Sequence, residues 1–154
     1  MLIIHRSLFI LLHLKYKREW YDYPKPKRFP KISFITPAYN EEDNIEATVK
    51  ALLNIDYPKD KKEIIIVNDG SKDKTAEIVR RLMKKNKEIK LLDKKNSGKA
   101  DSLNHGIKMA RGELIAVVDA DSYPKEDSLL KMVGYFEDNK VGAVTSRVLV
   151  KNTG

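Results

Sequence analysis

Short apolar runs alternate along the chain with stretches in which apolar residues recur every three or four positions. Residues 32–36, 63–67, 89–92 and 114–118 are rich in β-branched side chains and too short for ordinary helices, so each predicts a buried strand. Residues 42–53 bring Val49, Leu52 and Leu53 onto one helical face, and residues 75–85 do the same with Ile78, Val79 and Leu82. Residues 100–110 and 125–136 read as two more helices, the last with Pro124 just before its first turn. Residues 141–150 suggest a closing strand with partial alternation. Pro37 is expected to stop the first strand, Asp43 and Glu46 have capping-box spacing, and Asp73 is a suitable N-cap. Strand and helix alternate through short connections, which predicts an α/β fold: an open, mainly parallel sheet with helices on both faces.

Composition narrows the class. The chain has 154 residues, of which 42% are hydrophobic and 34% charged, as suits one globular domain with its own core. It has no cysteine, so disulfides and thiolate metal sites are excluded; that fixes no compartment, though it sits comfortably with the cytoplasmic location expected. A net charge of +8 favours polyanionic partners. The basic residues are spread along the chain without an aromatic-basic signature or zinc-finger spacing, so nucleic acid is not an expected partner.

Residues 1–14 are apolar but interrupted by His5, Arg6 and His13. They fall short of the roughly 20 residues of a membrane span. With Lys15–Arg18, Trp20, Tyr21 and Tyr23 following, residues 1–23 are expected to lie as an interfacial helix on a membrane, at its cytoplasmic face, to be the tail of a transmembrane helix, or to pack on the domain. Residues 23–30, with Pro24, Pro26 and Pro30, read as a stiff linker. The expected organisation is an N-terminal segment over residues 1–30 and a folded domain over residues 31–154.

Each predicted strand ends in ligand-suited residues. The first leads into Pro37, Ala38, Tyr39, Asn40 and Glu41, the second into Asn68, Asp69, Gly70 and Ser71, and the fourth into Asp119-Ala120-Asp121. In an open α/β sheet, ligands bind beyond the carboxyl ends of the strands, so parallel strands would gather these turns on one edge. Asp119 and Asp121 can reach one hard divalent cation that also takes phosphate oxygens. Taken alone they could equally end a strand and cap a helix. Gly98 and Lys99 open a predicted helix, where an anion is favoured. Neither a Walker-type loop nor a Gly-x-Gly-x-x-Gly turn occurs, which argues against nucleotide triphosphatases and dehydrogenases.

The segments 32–41, 64–73, 98–106 and 119–121 together resemble family 2 glycosyltransferases, the inverting class with the Rossmann-like GT-A fold. Gly98-Lys99-Ala100-Asp101-Ser102-Leu103-Asn104-His105-Gly106 is similar to a segment of its processive members, such as hyaluronan, chitin and poly-N-acetylglucosamine synthases. The resemblance implies that Pro37, Ala38, Tyr39 and Glu41 line a nucleoside pocket and that Asp69 bonds the uracil or ribose of a UDP-sugar. It implies Mg2+ or Mn2+ on Asp121, with Asp119 near ribose and metal and Lys99 near the diphosphate or sugar. The donated sugar would be N-acetylglucosamine or glucose, and the acceptor a saccharide or lipid-linked saccharide.

Inverting transfer also needs a general base, which in this family lies in a later Asp- or Glu-bearing motif not found before Gly154. No catalytic residue is therefore assigned. Two readings follow: a glycosyltransferase seen through its donor half, or a non-catalytic nucleotide-sugar-binding module whose acceptor half is supplied by a second chain.

Overall fold

The computed structural model describes residues 23–146. It shows a four-stranded, wholly parallel sheet in the order β3-β2-β1-β4. The strands are β1 (Ile32–Ala38), β2 (Lys62–Asp69), β3 (Ile89–Lys94) and β4 (Leu114–Val117). Between them run α1 (Ile45–Leu53), α2 (Thr75–Met83) and α3 (Lys99–Met109), and α4 (Ser128–Val133) follows β4. The α/β class and parallel sheet are as the alternation of patterns predicts.

The pleat sorts the core into two layers. Odd-numbered residues of β1 and β2 face α3, which approaches so closely that a Cβ on Gly106 would stand 2.4 Å from Ile35 Cγ2. Ile35, Ile65 and Val67 form this layer with Leu92, Leu103 and Met109 packed against them. Asp93, paired in register with Asn68, meets Arg80 of α2, so α2 lies on the even-numbered face. Ile64 through Val67 are completely buried, as a central strand covered on both faces should be. Each such side chain contributes about 1.5–3 kcal/mol of burial.

Several local expectations are corrected. Among the described residues β4, like β3, lies at an edge of the sheet rather than being buried within it. Residues in register share a face, so Ile115 and Val117 lie on the α3 side with Ser33 and Ile35. They are 44% and 53% exposed, because α3 packs over β1 and β2. Pro37 does not stop β1, which runs on to Ala38. The Ile35 carbonyl accepts the Val118 N–H, so backbone groups of odd-numbered β1 residues point toward β4. Register pairing with β4 ends at Ile35, and Pro37 therefore removes no ladder bond.

Asp43 and Glu46 form no capping box. Asn44 is the N-cap without a side-chain cap bond, and Glu46 instead pairs with Lys50 and Arg81. Asp73 does cap α2, although one residue ahead of the N-cap position: its Oδ1 accepts the Thr75 N–H at 3.0 Å. The helix expected over residues 125–136 is α4 followed by a 3-10 turn at Gly134–Glu137. Residues 141–146 form no strand, and 147–150 lie outside the described residues. Alternation alone does not sustain a strand without a neighbour to pair with.

The chain divides into two compact units, Arg28–Leu129 and a second made of Met1–Lys27 with Leu130–Gly154. The first carries the whole sheet and α1–α3. In the second, the Lys131 ammonium stands 5.3 Å from the Tyr23 ring centroid and the Lys27 N–H donates to Glu137. The apolar stretch 1–14 lies outside the described residues. Among the described residues, no helix is long and apolar enough to cross a membrane.

Candidate functional site

Because every strand pair is parallel, the turns after β1, β2, β3 and β4 emerge from one edge of the sheet. All lie within the unit Arg28–Leu129.

The β1 and β2 turns are interlocked. Asn40 adopts a left-handed backbone (φ 54°), which asparagine tolerates better than most residues. Its N–H donates to Ser71 Oγ, and its Oδ1 accepts the Lys72 N–H. One residue on, the Glu41 N–H donates to Thr75 Oγ1, the Glu42 N–H to Asp73, and the Lys74 N–H to Glu42. The Glu41 carboxylate also accepts from Asn44 Nδ2. Pro37 and Ala38 are buried beneath this clasp and Tyr39 is 47% exposed beyond it. The Tyr39 ring is thus held out at the sheet edge by a braced backbone.

The Asp-Ala-Asp turn after β4 is pinned by its middle residue. Ala120 is buried, and its carbonyl accepts Thr48 Oγ1–H from α1 at 2.6 Å. The Ser122 N–H closes the turn on the Asp119 carbonyl. A small buried residue between two carboxylates leaves Asp119 and Asp121 exposed on either side. Lys99 Nζ, at the first residue of α3, reaches Asp119 Oδ1 at 2.5 Å. Both partners are more than half exposed, so the pair is free to exchange for other ligands.

Asp69 behaves differently. It is 4% exposed, and both its oxygens are taken up by the loop after β3. Oδ1 accepts the Ser97 N–H at 2.9 Å and Oδ2 the Gly98 N–H at 2.8 Å, while Lys94 donates to Oδ1. Burial pushes the Asp69 carboxyl up, but these hydrogen bonds and the Lys94 charge outweigh it and hold the carboxyl below its usual range. Gly98 (φ 95°) then turns the chain into α3, a conformation that disfavours any residue with a side chain. Asp69 therefore organises the loop that presents Lys99, a task the resemblance did not assign to it.

Lys94, Ser97 and Asp101 were not singled out in the sequence. Their involvement depends on the β2–β3 register that sets Asp69 opposite Lys94, which spacing along the chain does not reveal.

Two hard oxygen donors, exposed and one residue apart, suit Mg2+ or Mn2+ held partly by protein and partly by phosphate. Among the described residues no group of three or more Asp, Glu or His converges as a metal cage.

The braced turns, the Asp-x-Asp pair and the lysine-bearing helix start thus share the sheet edge at which open α/β domains bind their ligands. The chain belongs to glycosyl transferase family 2, whose family model matches residues 33–154. It is 43% identical over 123 residues to a poly-beta-1,6-N-acetyl-D-glucosamine synthase of Staphylococcus epidermidis, covering 79% of this chain and 29% of that protein. It is 41% identical over 131 residues to the probable glycosyltransferase YdaM of Bacillus subtilis (strain 168), covering 82% and 31%. Among solved structures, a mannosyltransferase from Pyrobaculum calidifontis in complex with GDP-Man and Mn2+ superposes with a TM-score of 0.74 at 31% identity, over 90% of this chain and 43% of that one. TarS from S. aureus, in complex with UDP-GlcNAc, gives 0.66 at 28%, over 79% and 37%. The chain thus spans about a third of the length of the curated relatives it matches.

Proposed function

We propose that these residues form the donor-binding portion of an inverting family 2 glycosyltransferase that takes a UDP-sugar with Mg2+ or Mn2+. The observation that carries the reading is the exposed Asp119 and Asp121 pair, with Lys99 at hydrogen-bond distance from Asp119, on the sheet edge shared with Tyr39 and Asp69. The likeness to a protein named as an N-acetylglucosamine polymer synthase and to a UDP-GlcNAc complex supports N-acetylglucosamine as the sugar.

In this reading Asp121 and Asp119 hold the cation, which supplies Lewis-acid neutralisation of the diphosphate. Lys99 exchanges Asp119 for a phosphate oxygen and offsets charge that grows on the leaving nucleoside diphosphate. Tyr39 and Glu41 form the nucleoside side, with the buried Pro37 and Ala38 beneath them and the exposed Tyr39 ring as the stacking surface. Transfer to a saccharide or lipid-linked acceptor belongs to the whole protein.

The test is calorimetric titration with UDP-GlcNAc, UDP-glucose and GDP-mannose, with Mn2+ or with chelator, beside Asp121→Ala. Expected is Mn2+-dependent binding of the uridine donors, weakened at least about a hundredfold in the variant. Equal binding with chelator, or no uridine preference over GDP-mannose, would overturn the reading.

A further inference from the structure

Lys94 is the most heavily engaged cation among the described residues, and the donor-site reading gives it no role. Its side chain is 12% exposed at the end of β3. Nζ has Asp69 Oδ1, Ser97 Oγ, the Lys95 carbonyl (3.0 Å), Ser102 Oγ (3.4 Å) and Asp101 Oδ2 (3.1 Å) around it as acceptors for its three N–H groups. Ser97 Oγ in turn donates to Asp101. One ammonium thus joins β2, the loop after β3 and the first turn of α3. The two carboxylates it bridges flank Gly98 and Lys99, the residues that would meet the donor phosphates.

We propose that Lys94 is a positioning residue for diphosphate recognition. It shapes the Asn96–Lys99 loop through Asp69 and cancels the charge of Asp69 and Asp101 beside an anionic ligand. This inference rests on the donor-site reading and deepens it. The physical reason is an asymmetry of charge. With Lys94 in place, the loop side of the site presents Lys99, while the Ser97 and Gly98 amides are held by Asp69. Without it, two carboxylates lie there uncompensated, one of them buried, and the Ser97 and Gly98 amides lose the anchored acceptor that orients them. A nucleoside carries no phosphate, so its binding would be insensitive to that change.

The experiment compares the full chain with Lys94→Met, Lys94→Gln and Lys94→Arg. UDP and uridine are titrated with Mg2+ by NMR, and amide hydrogen exchange is followed at Ser97 and Gly98 without ligand. Expected for Lys94→Met and Lys94→Gln is a loss of UDP affinity of about tenfold or more, with uridine affinity changed by less than about twofold. Exchange at both amides should quicken, and Lys94→Arg should recover most of the UDP affinity. Equal losses for UDP and uridine, unchanged amide protection, or no recovery in Lys94→Arg would each overturn the inference. Outright unfolding of both neutral variants would overturn it too, by making Lys94 a residue of the core. Failure of the unaltered chain to bind UDP would instead strike the donor-site reading, whereas normal binding that survives in Lys94→Met strikes the positioning role alone.

Discussion

β2 carries two buried carboxylates six residues apart on the same face, and they differ in what surrounds them. Glu63, near the start of the strand, accepts from Ser33 Oγ and the Arg111 N–H on one oxygen and from Lys90 on the other. Ser33 Oγ also receives the Gly112 N–H, so this network ties the α3–β4 connection to the sheet. Asp69, at the other end, is held in a similar way, by a β3 lysine and by the backbone amides of Ser97 and Gly98, without a serine hydroxyl. Each lysine comes from β3 and each carboxylate is 4% exposed. The chemistry is nearly identical, yet Glu63 closes a corner remote from the ligand edge, while Asp69 shapes a loop beside exposed groups. A buried, paired carboxylate thus does not by itself mark a functional site. What its partners carry next along the chain decides.

The strongest test of this contrast removes Glu63. Glu63→Ala leaves Lys90, the buried Ser33 hydroxyl and the Arg111 N–H without their acceptor and should destabilise the fold by about 3 kcal/mol in urea denaturation. Burial pushes the Glu63 carboxyl up, but the Lys90, Ser33 and Arg111 hydrogen bonds outweigh it and bring it down to about 2 from an ordinary 4.5. A depressed carboxyl contributes stability that is fully present above its unfolded value and lost as pH falls through the folded one. Stability should therefore drop between about pH 4.5 and pH 2, and Glu63→Gln should flatten that slope. An equally steep acid limb in Glu63→Gln would show that the corner does not depend on this charge.

Asp69→Asn is expected to cost less in stability, about 1–2 kcal/mol, because one acceptor oxygen survives. It should nevertheless speed hydrogen exchange at Ser97 and Gly98 and weaken UDP binding, neither of which Glu63→Gln should do. If the two variants proved indistinguishable in loop exchange, the division between a structural and a ligand-facing end would fail.

The smallest effect sharpens the comparison from outside. Arg81 pairs with Glu46 on the surface between α1 and α2, with side chains 61% and 36% exposed. Arg81→Ala should barely move the urea denaturation midpoint, as solvent and salt screen such pairs. A larger loss would mean that burial is not what separates the β2 pairs from ordinary ion pairs.

The amino-acid sequence by itself determined the alternation of strands and helices, the parallel α/β class, the Asp119-Ala120-Asp121 and Gly98-Lys99 landmarks and the family to which they belong. These are local properties: β-branched runs, helical periodicity and turn residues act within a few positions of themselves. It also pointed to one ligand edge, because parallel strands with helical crossovers return their carboxyl ends to the same side. Tertiary structure alone decided the rest. It made β4 an edge strand, which its apolar run resembles a central one too closely to reveal. It let β1 pass through Pro37, because the neighbouring strand stops short of the missing N–H. It left residues 141–146 without the partner their pattern asks for. Above all it set Asp69 opposite Lys94 and Glu63 within reach of Lys90, pairings 25 and 27 residues apart in sequence. Electrostatic partners at such separations are chosen by strand register, and register is a property of the folded sheet.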